Sequence, residues 1–176
     1  ATLALDAIGP DGQANSAVTL VDSGATGTGQ VILSLNSETV STSTAYTWSM
    51  YAKADQLSWL SFRTEQFTTP ANGNTYFNLS AGHTATIEGA GNGWYRCAIT
   101  FTTDAADTVG NLKAYLAPSD GSLTVDLDGT SSILVYGAQF EAGSFASSYI
   151  PTSGSTATRA ADIATIPTSA FGYNDA

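Results

Sequence analysis

The sequence predicts an all-β fold, a two-sheet antiparallel β-sandwich of the jelly-roll type with an extended C-terminal strap. Three observations predict it. Apolar residues make up 43% of the 176-residue chain, yet they come in short alternating runs and hold no sustained helical period. Ser, Thr, Gly and Asn punctuate those runs as turn formers do. No run approaches the roughly 20 apolar residues of a membrane-spanning helix.

Taken in order, "SAVTLVD", "GQVILSLN", "YTWSMYAKA", "SWLSFRTEQF", "TYFNLS", "TATIEGA", "WYRCAITFTT", "NLKAYLAP" and "SSILVYGAQFEA" each read as a strand. The stretches between them, "GATGTG", "TTPANGNT", "GAGNG", "DAADTVG" and "APSDGSLTVDLDGT", are loaded with turn residues. That makes roughly eight to ten strands, the range of a two-sheet jelly roll. After Glu141 the period is lost, and the chain reads as a strap laid over the sandwich, with Phe145, Tyr149 and Ile150 expected to pin it. Residues 1–162 are expected to form the sandwich domain and 163–176 a connector to a following segment. The opening "ATLALDAIGPDG" lacks a basic region and a cleavage pattern. It fits a chain whose signal has been removed, one that leaves its cell by another route, or an internal piece of a longer protein.

Five Lys and Arg stand against fifteen Asp and Glu, a formal net charge of -10. Such a surface repels a phosphate backbone, so no nucleic-acid partner is expected, and the short apolar runs give no membrane partner. The single cysteine cannot form an internal disulfide. Cys97 alternates with core positions and reads as a small buried hydrophobe.

Strand parity assigns faces. Tyr46, Trp48, Met50 and Ala52 fall on one side of their strand, and Thr47, Ser49, Tyr51 and Lys53 on the other. Leu60 and Phe62 are expected inside, with Trp59, Ser61, Arg63 and Glu65 outside. Tyr95, Cys97, Ile99 and Phe101 are expected inside, with Trp94, Arg96, Ala98 and Thr100 outside. Leu112, Ala114 and Leu116 are expected inside, with Lys113 and Tyr115 outside. Four of the five cations thus share outward faces with large aromatics, and such rings on a wet sheet ask for a cover. That cover is a strap, a partner chain or a ligand. A pyranose fits as ligand: its C–H face stacks on an aromatic plane and its hydroxyls meet planar polar groups. Tyr51, Lys53, Trp59, Arg63, Glu65, Arg96 and Tyr115 are therefore the expected ligand-binding set, on one sheet face. The local cations favour an acidic, uronate-bearing glycan.

"AYTWSMYAKA", "YFNLSAGHTATIEGAGNGWYRCAITFT" and "VYGAQFEAGSFASSYIPTSGSTATRAAD" resemble a module of bacteriophage tail and tail-fibre proteins and of some secreted polysaccharide-degrading enzymes. The resemblance runs from about Asp11 to Asp162 and extends to the β-sandwich carbohydrate-binding modules of families 4, 9 and 22. It implies a non-catalytic polysaccharide-binding domain outside the cell or on a virion, tethered to further domains and open to oligomerisation in its parent assembly. It implies that Tyr51 stacks on sugar and that Tyr115 lines the same cleft. It also implies a structural calcium, although Tyr136 or Gly137 stands where an Asp is expected. Asp126, Asp128 and Glu141 remain as oxygen donors. "DLDGT" begins like a calcium loop but lacks the Glu of an EF-hand, and Asp126 and Asp128 read as turn formers ahead of calcium ligands. The alternative to sugar binding is a structural domain of a phage tail or fibre, its aromatics packed on neighbouring chains.

No enzyme is expected. A glycosidase needs two carboxyl groups facing across a cleft, and Glu65 is the only acid assigned to the aromatic face, with Glu38 and Glu88 near strand ends. His83 is alone in a turn, too few for a zinc site. "GATGTG" lacks the Lys and helix of a phosphate loop.

Overall fold

A computed structural model describes residues 1–70, 72–80, 87–152 and 155–158. Among them run twelve strands: β1 (Thr2–Ala7), β2 (Ala17–Val21), β3 (Thr28–Gly29), β4 (Ile32–Thr39), β5 (Ala45–Ala54), β6 (Trp59–Glu65), β7 (Gly73–Asn78), β8 (Ile87–Gly91), β9 (Trp94–Thr102), β10 (Val109–Ala117), β11 (Val125–Asp126) and β12 (Ser132–Ala142). The larger sheet has the order β1-β2-β12-β5-β9-β8 and the smaller β4-β10-β6-β7, and β11 and β3 form a short ribbon. Every pairing is antiparallel. The fold is thus all-β, as the alternating runs require. The nine expected strands correspond to β2, β4 to β10 and β12. Strands β3 and β11 are only two residues long, too short to carry a period. Strand β1 went unpredicted because it pairs with β2 alone and leaves Leu3 and Leu5 exposed. The expected boundary between residues 162 and 163 lies outside the described residues, as does His83.

The core lies between the two sheets. Tyr46, Trp48, Met50 and Ala52 of β5 face Leu60 and Phe62 of β6 and Leu112, Ala114 and Leu116 of β10, all buried. Trp48 stacks on Phe62 with ring centroids 4.1 Å apart, and Phe77 meets Phe62 edge-on at 4.9 Å. Phe67 enters from the loop after β6 and packs on Phe101 at 5.1 Å. Its ring fills the space where Gly110 has no side chain: a Cβ there would sit 2.1 Å from Phe67 Cζ. Cys97 is fully buried, and burial pushes its thiol far up, so it behaves as the small hydrophobe expected.

The back of the larger sheet is not the wet surface that parity suggested. Thr47 and Ser49 are completely buried and Trp94 is 2% exposed. Residues 143–150 lie against this side. The Thr47 hydroxyl donates to the Gly143 carbonyl (2.9 Å), the Ser147 amide to Glu141 Oε1 (2.9 Å), and the Ile150 amide to Gln139 Oε1 (2.9 Å). The Ser147 hydroxyl donates to the other Glu141 oxygen. The Tyr149 ring packs on Tyr136 and covers Gly137, which interrupts β12 at a bulge with φ +59. A side chain at 137 would be strained and would meet that ring at 3.2 Å. Phe145, expected to pin this segment, is instead 73% exposed; the anchoring is done by hydrogen bonds to Glu141 and Gln139 and by the Tyr149 ring.

Two buried carboxylates tie loops to the sandwich. Asp22 accepts hydrogen bonds from the amides of Gly24 (2.7 Å), Gly129 (2.8 Å) and Ser131 (3.0 Å). Asp107 accepts from the amides of Thr68 (2.7 Å), Asp104 (2.9 Å) and Thr69 (3.3 Å). Burial pushes the Asp107 carboxyl up, but these hydrogen bonds outweigh it and hold the pKa at about 2, against an ordinary 3.8. A depressed folded pKa means stabilisation that is complete above about pH 4 and lost as pH falls toward 2. The Asp11, Asp128 and Glu141 carboxyls are lowered too and act in the same direction. The urea midpoint is therefore expected to fall steadily as pH is taken from about 5 to about 2. Asp107→Asn should lower the midpoint at neutral pH and flatten that acid slope, and an unchanged slope in the variant would discount Asp107 as the titrating group.

Candidate functional site

The seven residues expected to share one face are divided between the two opposite sides of the sandwich. Tyr51 and Lys53 of β5 and Arg96 of β9 stand on the back of the larger sheet, where Tyr51 pairs with Arg96 and Lys53 with Trp94. Trp59, Arg63 and Glu65 of β6 and Tyr115 of β10 stand on the outer side of the smaller sheet. The physical reason is the connection after β5. The chain crosses between sheets at residues 55–58, so outward on β5 and outward on β6 point in opposite directions.

On the larger sheet Tyr51 and Arg96 are knitted into the protein. The Arg96 guanidinium lies 5.4 Å from the Tyr51 ring centroid and donates through Nη2 to Ser49 Oγ at 3.0 Å. Tyr51 meets Tyr136 edge-on at 5.9 Å, and Tyr136 in turn meets Tyr149. Burial pushes the Glu141 carboxyl up, yet the Ser147 and Gln139 hydrogen bonds and the nearby Arg96 charge bring it below the ordinary value. These groups support the 143–150 segment, which corrects their assignment to an open sugar face.

The smaller sheet keeps a more accessible face. The ladder sets its side chains in three rows. Ala117, Trp59 and Asn78 form the first, Ile32, Tyr115, Ser61 and Tyr76 the second, and Ser34, Lys113, Arg63 and Asn74 the third. Rows of one face are about 7 Å apart and neighbouring strands about 4.8 Å. Trp59 and Tyr76 are half-buried and lie diagonally across the β6–β7 pair, within the reach of large rings. Tyr115 is only 2% exposed and Ser61 fully buried. Tyr115 therefore makes the floor of the face and presents no open stacking plane, another correction. Glu65, next along β6, has Oε1 3.0 Å from Arg63 Nε and Oε2 2.5 Å from Lys113 Nζ.

Tyr76, Asn74 and Asn78 did not figure in the expected set. The signal was present, because "NTYFN" alternates Asn74, Tyr76 and Asn78 with Thr75 and Phe77, and Phe77 is fully buried. Strand parity applied to this run identifies Tyr76 as the outward ring.

The three oxygen donors considered for calcium are not brought together. Glu141 lies near the end of β12, and Asp128 precedes its start. The intervening strand spans about 30 Å at roughly 3.3 Å per residue. Glu141 is engaged by Ser147 and Gln139, while Asp128 accepts from the Thr130 amide (2.9 Å) and hydroxyl (2.7 Å) as a turn former. Among the described residues, no three His, Cys, Asp or Glu side chains cluster as a metal-holding group. Compared with protein-family models and with curated proteins, the chain matches none of either.

Proposed function

We propose that the chain is a non-catalytic glycan-binding module whose ligand lies on the outer face of the smaller sheet. The observation that carries this reading is the pair of half-buried rings, Trp59 and Tyr76, beside a row of planar and cationic polar side chains, Asn74, Arg63 and Lys113. Rings of that size supply stacking surface for sugar C–H faces, and amide and guanidinium groups meet hydroxyl rims. Hydrolysis has little support on this face. Glu65 is the one carboxylate on β6, β7 and β10, it is held between two cations, and acid–base cleavage needs a second carboxyl roughly 5 to 9.5 Å away.

The test is affinity electrophoresis through gels containing xylan, β-glucan, alginate or pectin. The protein should be retarded by at least one polymer. Trp59→Ala and Tyr76→Ala should each reduce retardation about tenfold, the equivalent of roughly 1.4 kcal/mol in an equilibrium constant, with unfolding midpoints near that of the parent. Retardation that survives both changes would move the site elsewhere.

A second reading is a structural domain of a fibre or tail assembly. It draws on β1, an edge strand whose Leu3 and Leu5 are 54% and 62% exposed. Their partners across the ladder, Leu20 and Val18, face the core side, so the larger sheet overhangs with apolar groups uncovered. A defined oligomer in size-exclusion chromatography, lost in Leu3→Ser with Leu5→Ser, would favour it.

A further inference from the structure

The cations of the smaller sheet are placed in a way that folding alone does not ask for. The whole chain holds five Lys and Arg against fifteen acids. Two of the five, Arg63 and Lys113, are direct cross-strand partners on the adjacent strands β6 and β10. Like charges set opposite each other destabilise a sheet, and the single compensating acid on these strands is Glu65. Two positive charges and one negative leave the patch at +1 on a protein of net -10. Among the described residues β6, β7 and β10 carry no other acid, and charges farther than about 8 Å are largely screened at physiological salt.

Resting on the glycan-binding reading above, we infer that this face is selective for an anionic polysaccharide, its uronate carboxylate held by Arg63 and Lys113 while the sugar ring lies on Tyr76. Glu65 displays the chemistry: one carboxylate already bridges the two cations, an oxygen to each. The bridge is not closed on the arginine side. Arg63 Nε, itself buried, is within ion-pair distance of Glu65 but has no aligned hydrogen-bond partner, so the exposed part of the side chain is what a ligand would meet. The planar fork of the guanidinium, suited to two parallel bonds with a carboxylate, is therefore not committed to Glu65 in that mode. Arg63 and Lys113 side chains are 30% and 21% exposed, enough to be met from outside. Tyr76 stands one ladder row, about 7 Å, from the Arg63–Lys113 row, which suits one sugar unit stacked on the ring with its carboxylate toward the cations. Glu65 then acts as an internal competitor for the site.

That competition is the handle for a test. Retardation of the parent protein, Glu65→Gln and Lys113→Gln is compared in gels containing polygalacturonate, its carboxyl-reduced neutral derivative, or a sulfated galactan. The parent should be retarded several-fold more by polygalacturonate than by the neutral derivative, with the difference shrinking as salt is added. Glu65→Gln should raise the ratio of anionic to neutral retardation, and Lys113→Gln should lower it. A salt network serving stability alone would give a lower unfolding midpoint in Glu65→Gln and no rise in that ratio, which would overturn the inference. Stronger retardation by the sulfated polymer than by polygalacturonate would overturn the uronate assignment. Equal retardation by charged and neutral polymers would overturn the inference and leave the glycan-binding reading standing, whereas no retardation by these or by the neutral glycans above would overturn both.

Discussion

Trp48→Ala is expected to lower the unfolding free energy by about 4 kcal/mol, the usual range for removing a large ring from a core. Trp48 is 1% exposed, lies at the centre of the inter-sheet cluster and stacks on Phe62 at 4.1 Å. Its removal takes away both the burial of a large apolar surface and the ring pair that joins the two sheets, the latter worth about 1 kcal/mol by itself. For a chain of this length the loss corresponds to a midpoint about 10 °C lower. The indole Nε1 is buried without a hydrogen-bond partner, so the ring serves here by shape and area alone. Trp48→Phe should therefore be much milder than Trp48→Ala, since it trims the ring without orphaning any acceptor. Thermal or urea unfolding of the two variants checks the ordering. Equal losses would mean that the indole nitrogen contributes something the packing does not account for.

Gly110→Ala should cost about 3 kcal/mol, at the upper end of what overpacking does. No left-handed backbone is involved. The obstacle is Phe67, whose ring occupies the space over Gly110 so closely that three of its carbons would lie within 2.4 Å of a new Cβ. Phe67 is 5% exposed and wedged against Phe101, so the ring has little room to retreat. A double-mutant cycle isolates the cause. In a Phe67→Ala background the cavity absorbs the added methyl, and Gly110→Ala should become nearly neutral. If the two losses simply add, the clash is relieved by some other movement and Phe67 is not what demands a glycine at 110.

Much of this molecule was legible because a β-strand writes its two faces into alternate residues. Tyr46, Trp48, Met50 and Ala52 read as one buried stripe and are one; so do Leu60 with Phe62 and Leu112 with Ala114 and Leu116. The all-β class follows from nine such stripes separated by turn residues. Parity also separated Trp59, Arg63, Glu65, Lys113 and Tyr115 from the core side of their strands. The same rule, extended to β7, reaches Tyr76.

Alternation within a strand distinguishes two sides but does not say which sheet the strand joins, nor what lies over its outer side. Both were decided by contacts between residues far apart in the chain. The crossing at residues 55–58 sends Tyr51 and Trp59, eight positions apart in sequence, to opposite surfaces of the sandwich. The Glu141 and Gln139 side chains hold residues 143–150 against the larger sheet, so Thr47 and Ser49 are buried despite outward parity. Local sequence determined the stripes, because side-chain direction is a property of each strand's own backbone. Only the tertiary structure decided which stripes became a shared surface, because that depends on sheet order and on what covers each side.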